Sequence, residues 1–329
     1  MNLRILTCLL LFTAGSIGPA WGVELTPFAV RNILPPSLVH GLATAEPARL
    51  NDPGRLSARL GFDLANNSID SRSGDETILL DGETSVTTLG LRYGIADHFQ
   101  LGFDLPWVRH SGGFLDNFIS NFHDFFGLPN GDRDERSDNE LDYSYPEDTG
   151  EGFLVDDTTS GLGDIRMLLA WQWLASEQLA ASLHGSIKAP TGDADDLTGS
   201  EAWDVSVALS LQRDFSLTRG EAAIWGGFGA SWLGNGEVLE DLAEDWAVSG
   251  WFGTGWSPLD WLALKLQLDA NSALYDSDLD QLGDPALILT LGGTLGFSEH
   301  TSLDFGVGED LSVNASPDVI FHLQLAHQF

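Results

Sequence analysis

Polar and apolar residues alternate with period two along most of the chain, in runs of about ten separated by turn chemistry. In the first run Leu56, Ala58, Leu60, Phe62 and Leu64 share one face, while Arg55, Ser57, Arg59, Gly61 and Asp63 share the other. Trp203, Val205, Val207, Leu209 and Leu211 repeat it against Asp204, Ser206, Ala208 and Ser210. Leu262, Leu264, Leu266 and Leu268 oppose Lys265, Gln267 and Asp269. The last run, Val319, Phe321, Leu323, Leu325, His327 and Phe329, ends the chain on an aromatic. Read throughout, the pattern predicts twelve strands, at 55–65, 84–94, 99–107, 162–174, 178–190, 202–215, 221–233, 246–257, 261–272, 285–297, 301–308 and 318–329.

The connections sharpen this reading. Tight turns at 95–98, 175–177, 257–260 and 298–300 alternate with longer linkers at 66–83, 108–161, 191–201, 234–245, 273–284 and 309–317; the turn at 213–220 is intermediate. In an antiparallel meander the short turns and both chain termini then share one rim, and the long loops share the other. Outer-membrane barrels have this asymmetry, with short periplasmic turns, long extracellular loops and an even strand number. A soluble β-sandwich also alternates, but its strands are shorter and it has no reason to hold aromatics at fixed depths. Here Trp246 and Trp256 lie on one face of one strand. Their separation along a tilted strand is roughly 25 Å, the height of an outer-membrane apolar band. Trp203 and Phe215 repeat the arrangement, while Phe99, Trp173, Trp261, Phe297 and Phe329 fall near the short-turn rim.

The expectation is therefore an all-β protein: a transmembrane antiparallel up-and-down β-barrel of about twelve strands over residues 55–329. Residues 108–161 form its longest extracellular loop. Residues 23–54 precede the barrel as an arm carrying Pro27, Pro35, Pro36, Pro47 and Pro53. It should be extended rather than helical, and either lines the lumen or hangs in the periplasm. Residues 1–22 read as a secretory signal peptide, with Arg4, an apolar core from Ile5 to Ala14 and a small-x-small site at Ala20-Trp21-Gly22. Cleavage there removes Cys8, the only cysteine, and with it any disulfide or thiol chemistry.

Composition narrows the partners. Asp and Glu total 49 against 15 Lys and Arg, a formal charge of −34, so a nucleic-acid partner is excluded. Outer-membrane lipids and lipopolysaccharide are the expected surroundings. Acid clusters at 132–142, at 193–201 and at Asp276, Asp278, Asp280 and Asp284 read as solvated loops. The last begins like a calcium loop but has Gln281 where glycine is required and Leu287 where a bidentate acid is required, so no metal or other cofactor is expected.

The terminal His327-Gln328-Phe329 resembles the C-terminal aromatic signature of bacterial outer-membrane proteins, and this implies recognition of Phe329 by the barrel-assembly machinery. The segment Phe118-Ile119-Ser120-Asn121-Phe122-His123-Asp124-Phe125-Phe126-Gly127-Leu128-Pro129-Asn130-Gly131-Asp132-Arg133, with Gly161-Leu162-Gly163-Asp164, resembles an uncharacterised family of predicted proteobacterial envelope proteins known only as a domain of unknown function. That resemblance implies a location and no activity.

Two sets of residues are candidates for function. Phe114, Phe118, Phe122 and Phe125 recur at helical spacing beside Phe126, and Gly127 to Gly131 then stops the helix. This amphipathic helix could constrict the barrel mouth and contact an apolar ligand, lie on the outer leaflet, or cap the rim. The second set is the non-lipid face: Arg59, Asp63, Arg92, Asp104, Asp164, Arg166, His184, Lys188, Asp204, Lys265, Asp269, Asp304 and His322. These line the lumen, as an ion-pair network or as a selectivity device. Arg109-His110-Ser111 could pair a hydroxyl with an imidazole, but neighbours on a strand point to opposite faces. No Gly-x-Ser-x-Gly, His-Glu-x-x-His or phosphate loop is present, and an enzyme is not expected. A passive pore or small-ligand transporter is the first expectation; a non-conducting structural or surface-contact barrel is the second, and an outer-membrane hydrolase the third.

Overall fold

A computed structural model describes residues 22–116, 139–146, 152–311 and 315–329. The alternating runs form long strands because each has an apolar face for lipid and a polar face that must turn inward. β1 (Leu56–Ser73), β2 (Glu76–Ala96) and β3 (Phe99–Ser111) come first. The short β4 (Asp142–Tyr145), β5 (Phe153–Val155) and β6 (Thr159–Leu162) follow. Then come β7 (Ile165–Ala175), β8 (Leu179–Ala189), β9 (Asp204–Ser216), β10 (Glu221–Trp232) and β11 (Trp246–Leu259). β12 (Leu262–Asn271), β13 (Ala286–Ser298), β14 (Thr301–Asp310) and β15 (Val319–Gln328) complete the wall. Each long strand pairs antiparallel with its neighbours, β3 reaches β7, and β1 pairs with β15 from Ser57↔Gln328 to Asn66↔Val319. The result is a closed barrel of twelve long strands.

The outer face is apolar at every level. On β12 Leu264 and Leu266 are exposed while the intervening Lys265 and Gln267 are buried. Trp107, Trp203, Trp232 and Trp246 are exposed at the long-loop rim, and Trp173, Trp256, Trp261, Phe297 and Phe329 at the other. Leu266→Arg places a charge in mid-strand on this face and is expected to cost about 2–4 kcal/mol. Urea unfolding of the folded protein in bilayers reads this directly. The same change at an exposed loop position should leave the midpoint unmoved.

Three expectations need correction. The linker at 66–83 is instead strand: β1 and β2 continue as a hairpin to Ser73↔Glu76, closed by Gly74 at φ +58°. The continuation has few outward aliphatics because it runs beyond the lipid band, so its pattern does not announce a membrane strand. Similarly, β3 continues to Ser111 inside the expected loop, and β4 adds to the β2 edge at Leu79↔Ser144. Finally, the arm is not wholly extended. Pro35 and Pro36 open a single helical turn, α1 (Pro35–Leu38), where proline's fixed φ and missing N–H suit the first positions.

The long-loop rim is closed by a hydrophobic core of its own. Ile78 and Leu80 of the hairpin pack with Tyr143, Leu197, Leu239, Tyr275 and Leu279 from the loops, and with Leu34 and Val39 beside α1. A short helix, α2 (Asp280–Gly283), supplies Leu282 to the same core.

Candidate functional site in the barrel lumen

The interior is built from the polar halves of the strands, and residues 23–51 thread through it. The arm starts at the short-turn rim, where Val23 N donates to Asp260 O at 3.0 Å. Its rising limb is held by wall side chains acting on its backbone. Gln267 accepts from Phe28 N at 2.9 Å and donates to Phe28 O at 3.0 Å, while Gln212 donates to Leu25 O at 3.1 Å. Lys265 donates to Thr26 O at 3.2 Å, lies 4.0 Å from the centre of the Phe28 ring and pairs with Asp304 at 3.0 Å. At the top, Tyr275 Oη donates to Pro36 O at 2.7 Å and meets His40 Nε2 at 2.9 Å. That phenol proton is committed to Pro36, so His40 Nε2 carries the proton between them. Burial pushes the His40 imidazole down to about 3, with Lys188 adding to the effect. The neutral ring therefore contributes stability above pH 6.5, its ordinary value, which fades as pH falls towards 3.

The falling limb returns along the opposite wall. Lys188 Nζ donates to Val39 O at 2.7 Å and pairs with Asp164 at 2.6 Å and Asp204 at 3.0 Å. Gly41 N donates to Asp204 at 2.6 Å, Ala43 N to Ser231 at 3.0 Å, and Ser249 to Ala43 O at 2.6 Å. Glu46 takes Arg92 at 2.5 Å and Arg59 at 3.3 Å, and Arg92 also holds Asp104 at 2.7 Å. Gln172 donates to Ala48 O at 2.9 Å. Arg49 closes the limb by pairing with Asp214 at 2.5 Å and bonding Ser176 O and Glu177 O at the short-turn rim. Both ends of the arm are thus at one rim, with its helical turn at the other.

The close fit depends on Gly41. A Cβ there would lie 2.8 Å from Asp204 Cβ and 3.0 Å from Lys188 Cβ. Gly41→Leu is expected to push the arm off this wall without touching a strand. Limited proteolysis from the short-turn side should then cut within 23–50 at a rate that leaves the wild-type arm intact.

Of the sequence-predicted lumen residues, Asp63, Arg92, Asp164, Arg166, His184, Lys188, Asp204, Lys265, Asp304 and His322 are buried on the inner side of the wall, and Arg59, Asp104 and Asp269 are half-buried there. They face an occupied lumen, and most of them bond within it: His322 Nδ1 meets Asp63 at 2.6 Å, and Asp269 accepts from the neutral Gln267 amide. Sequence reasoning missed the arm's own contribution, Arg31, Glu46 and Arg49. The available signal was four ions, these three and Glu24, inside an otherwise apolar, proline-rich segment. Of the aromatic run only Phe114 is described. It is 67% exposed, and its backbone N donates to Glu83 at 2.6 Å. Phe118, Phe122, Phe125 and Phe126 lie outside the described residues.

A cavity of about 490 Å³ opens at the short-turn rim, lined by both ends of the arm and by β13 to β15. A second space of about 70 Å³ lies deeper, between the two limbs and the wall formed by β15, β1, β2, β3 and β7. The two share Glu46, Arg59, Arg92 and Gln324. His110, a candidate base, is instead bonded to Thr84 at 2.9 Å and Leu197 O at 3.2 Å, fully buried and away from Ser111. Ser182 Oγ is 2.8 Å from His184 Nε2, but the hydroxyl is sealed from solvent. Among the described residues no group of three or more His, Cys, Asp or Glu side chains is placed to hold a metal.

A family model described as "Protein of unknown function (DUF3187)" matches residues 6–329. Among curated proteins none matches the chain. An outer-membrane channel from Pseudomonas putida F1 superposes with a TM-score of 0.58 at 15% identity, over 87% of this chain and 100% of that one. The NanC porin gives a TM-score of 0.46 at 6% identity, over 83% and 98%. A toluene transporter from Ralstonia pickettii gives 0.37 at 8% identity, over 84% and 90%. The first is similar in fold; the other two are too distant to carry an argument.

Proposed function

The chain belongs to the protein family of unknown function DUF3187, and we propose that it is an outer-membrane channel for small solutes, held shut by its own N-terminal arm. The observation that carries this reading is how the arm is bound. Wall side chains on seven strands reach the arm's backbone groups, as in Gln212 to Leu25 O, Lys188 to Val39 O and Ser249 to Ala43 O. A backbone amide is a general polar partner that water or a polar solute can replace. With the arm displaced, the same side chains form a polar path from the short-turn rim up to the core of the long loops, which loses Leu34, Val39 and Leu42 with the arm. A barrel with a purely structural role would gain more by filling itself with apolar wall side chains, since buried polar groups stabilise little beyond their own desolvation cost.

Supporting this, the cavity at the short-turn rim gives solutes a vestibule on the side where both arm ends emerge. Export through a cleaved signal peptide, assembly through a Phe329 signal and contact with lipid and lipopolysaccharide belong to the same proposal. The expectation from sequence spacing is that Phe118, Phe122 and Phe125 constrict the path. Serine at all three is expected to raise small-solute uptake by liposomes while the barrel stays folded; unchanged uptake would remove the rings from the path.

A second reading, a non-conducting barrel that presents its acidic loops to other surfaces, is favoured by the core that closes the long-loop rim. Planar bilayers separate the two. A channel gives rare openings from the full chain and frequent ones once the arm is loosened, whereas the second reading requires silence in both.

A further inference from the structure

Most of the cations in the lumen are matched to carboxylates. Arg92 has Glu46 and Asp104, Lys188 has Asp164 and Asp204, Lys265 has Asp304, and Arg59 leans on Glu46. Two arginines break the pattern. Arg166 is only 8% exposed, yet among the described residues it meets no carboxylate at ion-pair distance. It reaches only two hydroxyls, Thr44 at 3.4 Å and Ser186 at 3.3 Å, and its Nε has no partner. Arg31, on the rising limb, makes no hydrogen bond or ion pair with a described residue; Arg166 opposes its charge, while Asp63, Asp104 and Asp164 favour it without reaching ion-pair distance. His322, 2% exposed, spends Nδ1 on Asp63 and leaves Nε2 without a partner. Arg31, Arg166 and His322 all line the same space of about 70 Å³.

Buried guanidinium groups left unpaired are costly, and a planar guanidinium is shaped to bind two oxygens at once. The carboxylates around this space do not fill the need, because Asp104, Asp164 and Glu46 are each already held by another cation and Asp63 is bonded to His322. We propose that this chamber, between Arg31 of the arm and Arg166 and His322 of the wall, binds one small oxyanion of the carboxylate or inorganic phosphate class. The volume admits a single such ion and no bulky organic solute. Its approach is from the vestibule, through the shared edge at Arg59 and Arg92.

The site deepens the channel reading and rests on it for its role. One half belongs to the arm and the other to the wall, so a bound anion ties the closing segment in place. Ligand that binds only the closed form shifts the balance towards it. An anion resting in the chamber then stabilises the shut state.

The test uses the full chain, purified in detergent in buffers free of oxyanions. Titration with inorganic phosphate and, separately, acetate is followed calorimetrically. We expect saturable binding of one ion per chain for at least one of the two. Arg31→Gln and Arg166→Gln should each weaken it tenfold or more, and Arg213→Gln, on the outer face against Phe215, should leave it unchanged. Retained heat-resistant migration of the barrel on gels shows that each variant is folded. Absence of binding, or equal binding by the Arg31 and Arg166 variants, would mean that the chamber holds water alone and would overturn the proposal. Conductance of protein lacking the arm is independent of that titration. A conducting, non-binding protein removes the anion site and keeps the channel; a binding, silent one does the reverse.

Discussion

Deleting residues 23–50 is expected to turn a nearly silent barrel into a steadily conducting one. The deleted segment contributes no strand, and the ring closes without it through the β1–β15 and β3–β7 pairings. What is lost is the matter filling the lumen: the rising limb with Phe28, the helical turn, and the falling limb with Glu46. The wall groups left behind, among them Gln212, Gln267, Lys188 and Ser249, can all be hydrated. Single-channel conductance is expected to rise by about an order of magnitude, since a twelve-stranded lumen lies between the filled eight-stranded barrels and the wide sixteen-stranded porins. The deletion removes Glu24 and Glu46 together with Arg31 and Arg49, so the net charge is unchanged. Arg59 and Arg92 lose Glu46 while Asp214 loses Arg49 at the short-turn rim, and the balance between the two sets the ion preference. Reversal potentials across a salt gradient report that preference.

The second large effect concerns Lys188. Its ammonium is almost completely buried between Asp164 and Asp204 and also donates to Val39 O and Ser200 Oγ. Lys188→Met keeps the length of the side chain and removes the charge, leaving two buried carboxylates without a counter-ion. Both retain backbone donors, from Thr191, Gly192 and Ser200 to Asp164, and from Gly41 and Gly234 to Asp204. Hydrogen bonds do not replace the missing charge. Breaking one partner of a buried ion pair costs about 3–5 kcal/mol. The urea midpoint should fall accordingly, and the arm should become accessible to protease at Val39 and Gly41. Adding Asp204→Asn removes one of the stranded charges and should recover part of the loss, a coupling that a double-mutant cycle measures.

Much of the wall was legible in the sequence. Leu262 to Asp269 alternates without error, and the structure places Leu264 and Leu266 outside and Lys265 and Gln267 inside. Alternation works here because lipid and lumen impose opposite demands on adjacent residues. Where one demand lapses, the reading fails. Beyond the lipid band the β1–β2 hairpin needs no outward aliphatics, so Asn66 to Ser73 looks like a loop and is strand. The lumen residues were legible as a set and not as pairs, because Arg92 meets Glu46 and Lys188 meets Val39 through the placement of an arm that has no periodicity. Gly41 carries no pattern at all; only the 2.8 Å to Asp204 Cβ shows why it is glycine.

The central claim is that the arm closes a path that the barrel wall otherwise leaves open. It is tested most directly by adding a synthetic peptide of residues 23–50 to bilayers containing the arm-deleted protein. Both arm ends leave at the short-turn rim, where the cavity of about 490 Å³ opens. Peptide added on that side should block the conductance in a saturable way, and the same peptide added on the long-loop side should not. A Gly41→Leu peptide should block more weakly. An arm-deleted barrel that stays silent although folded, or one that conducts and is blocked from neither side, would contradict the account.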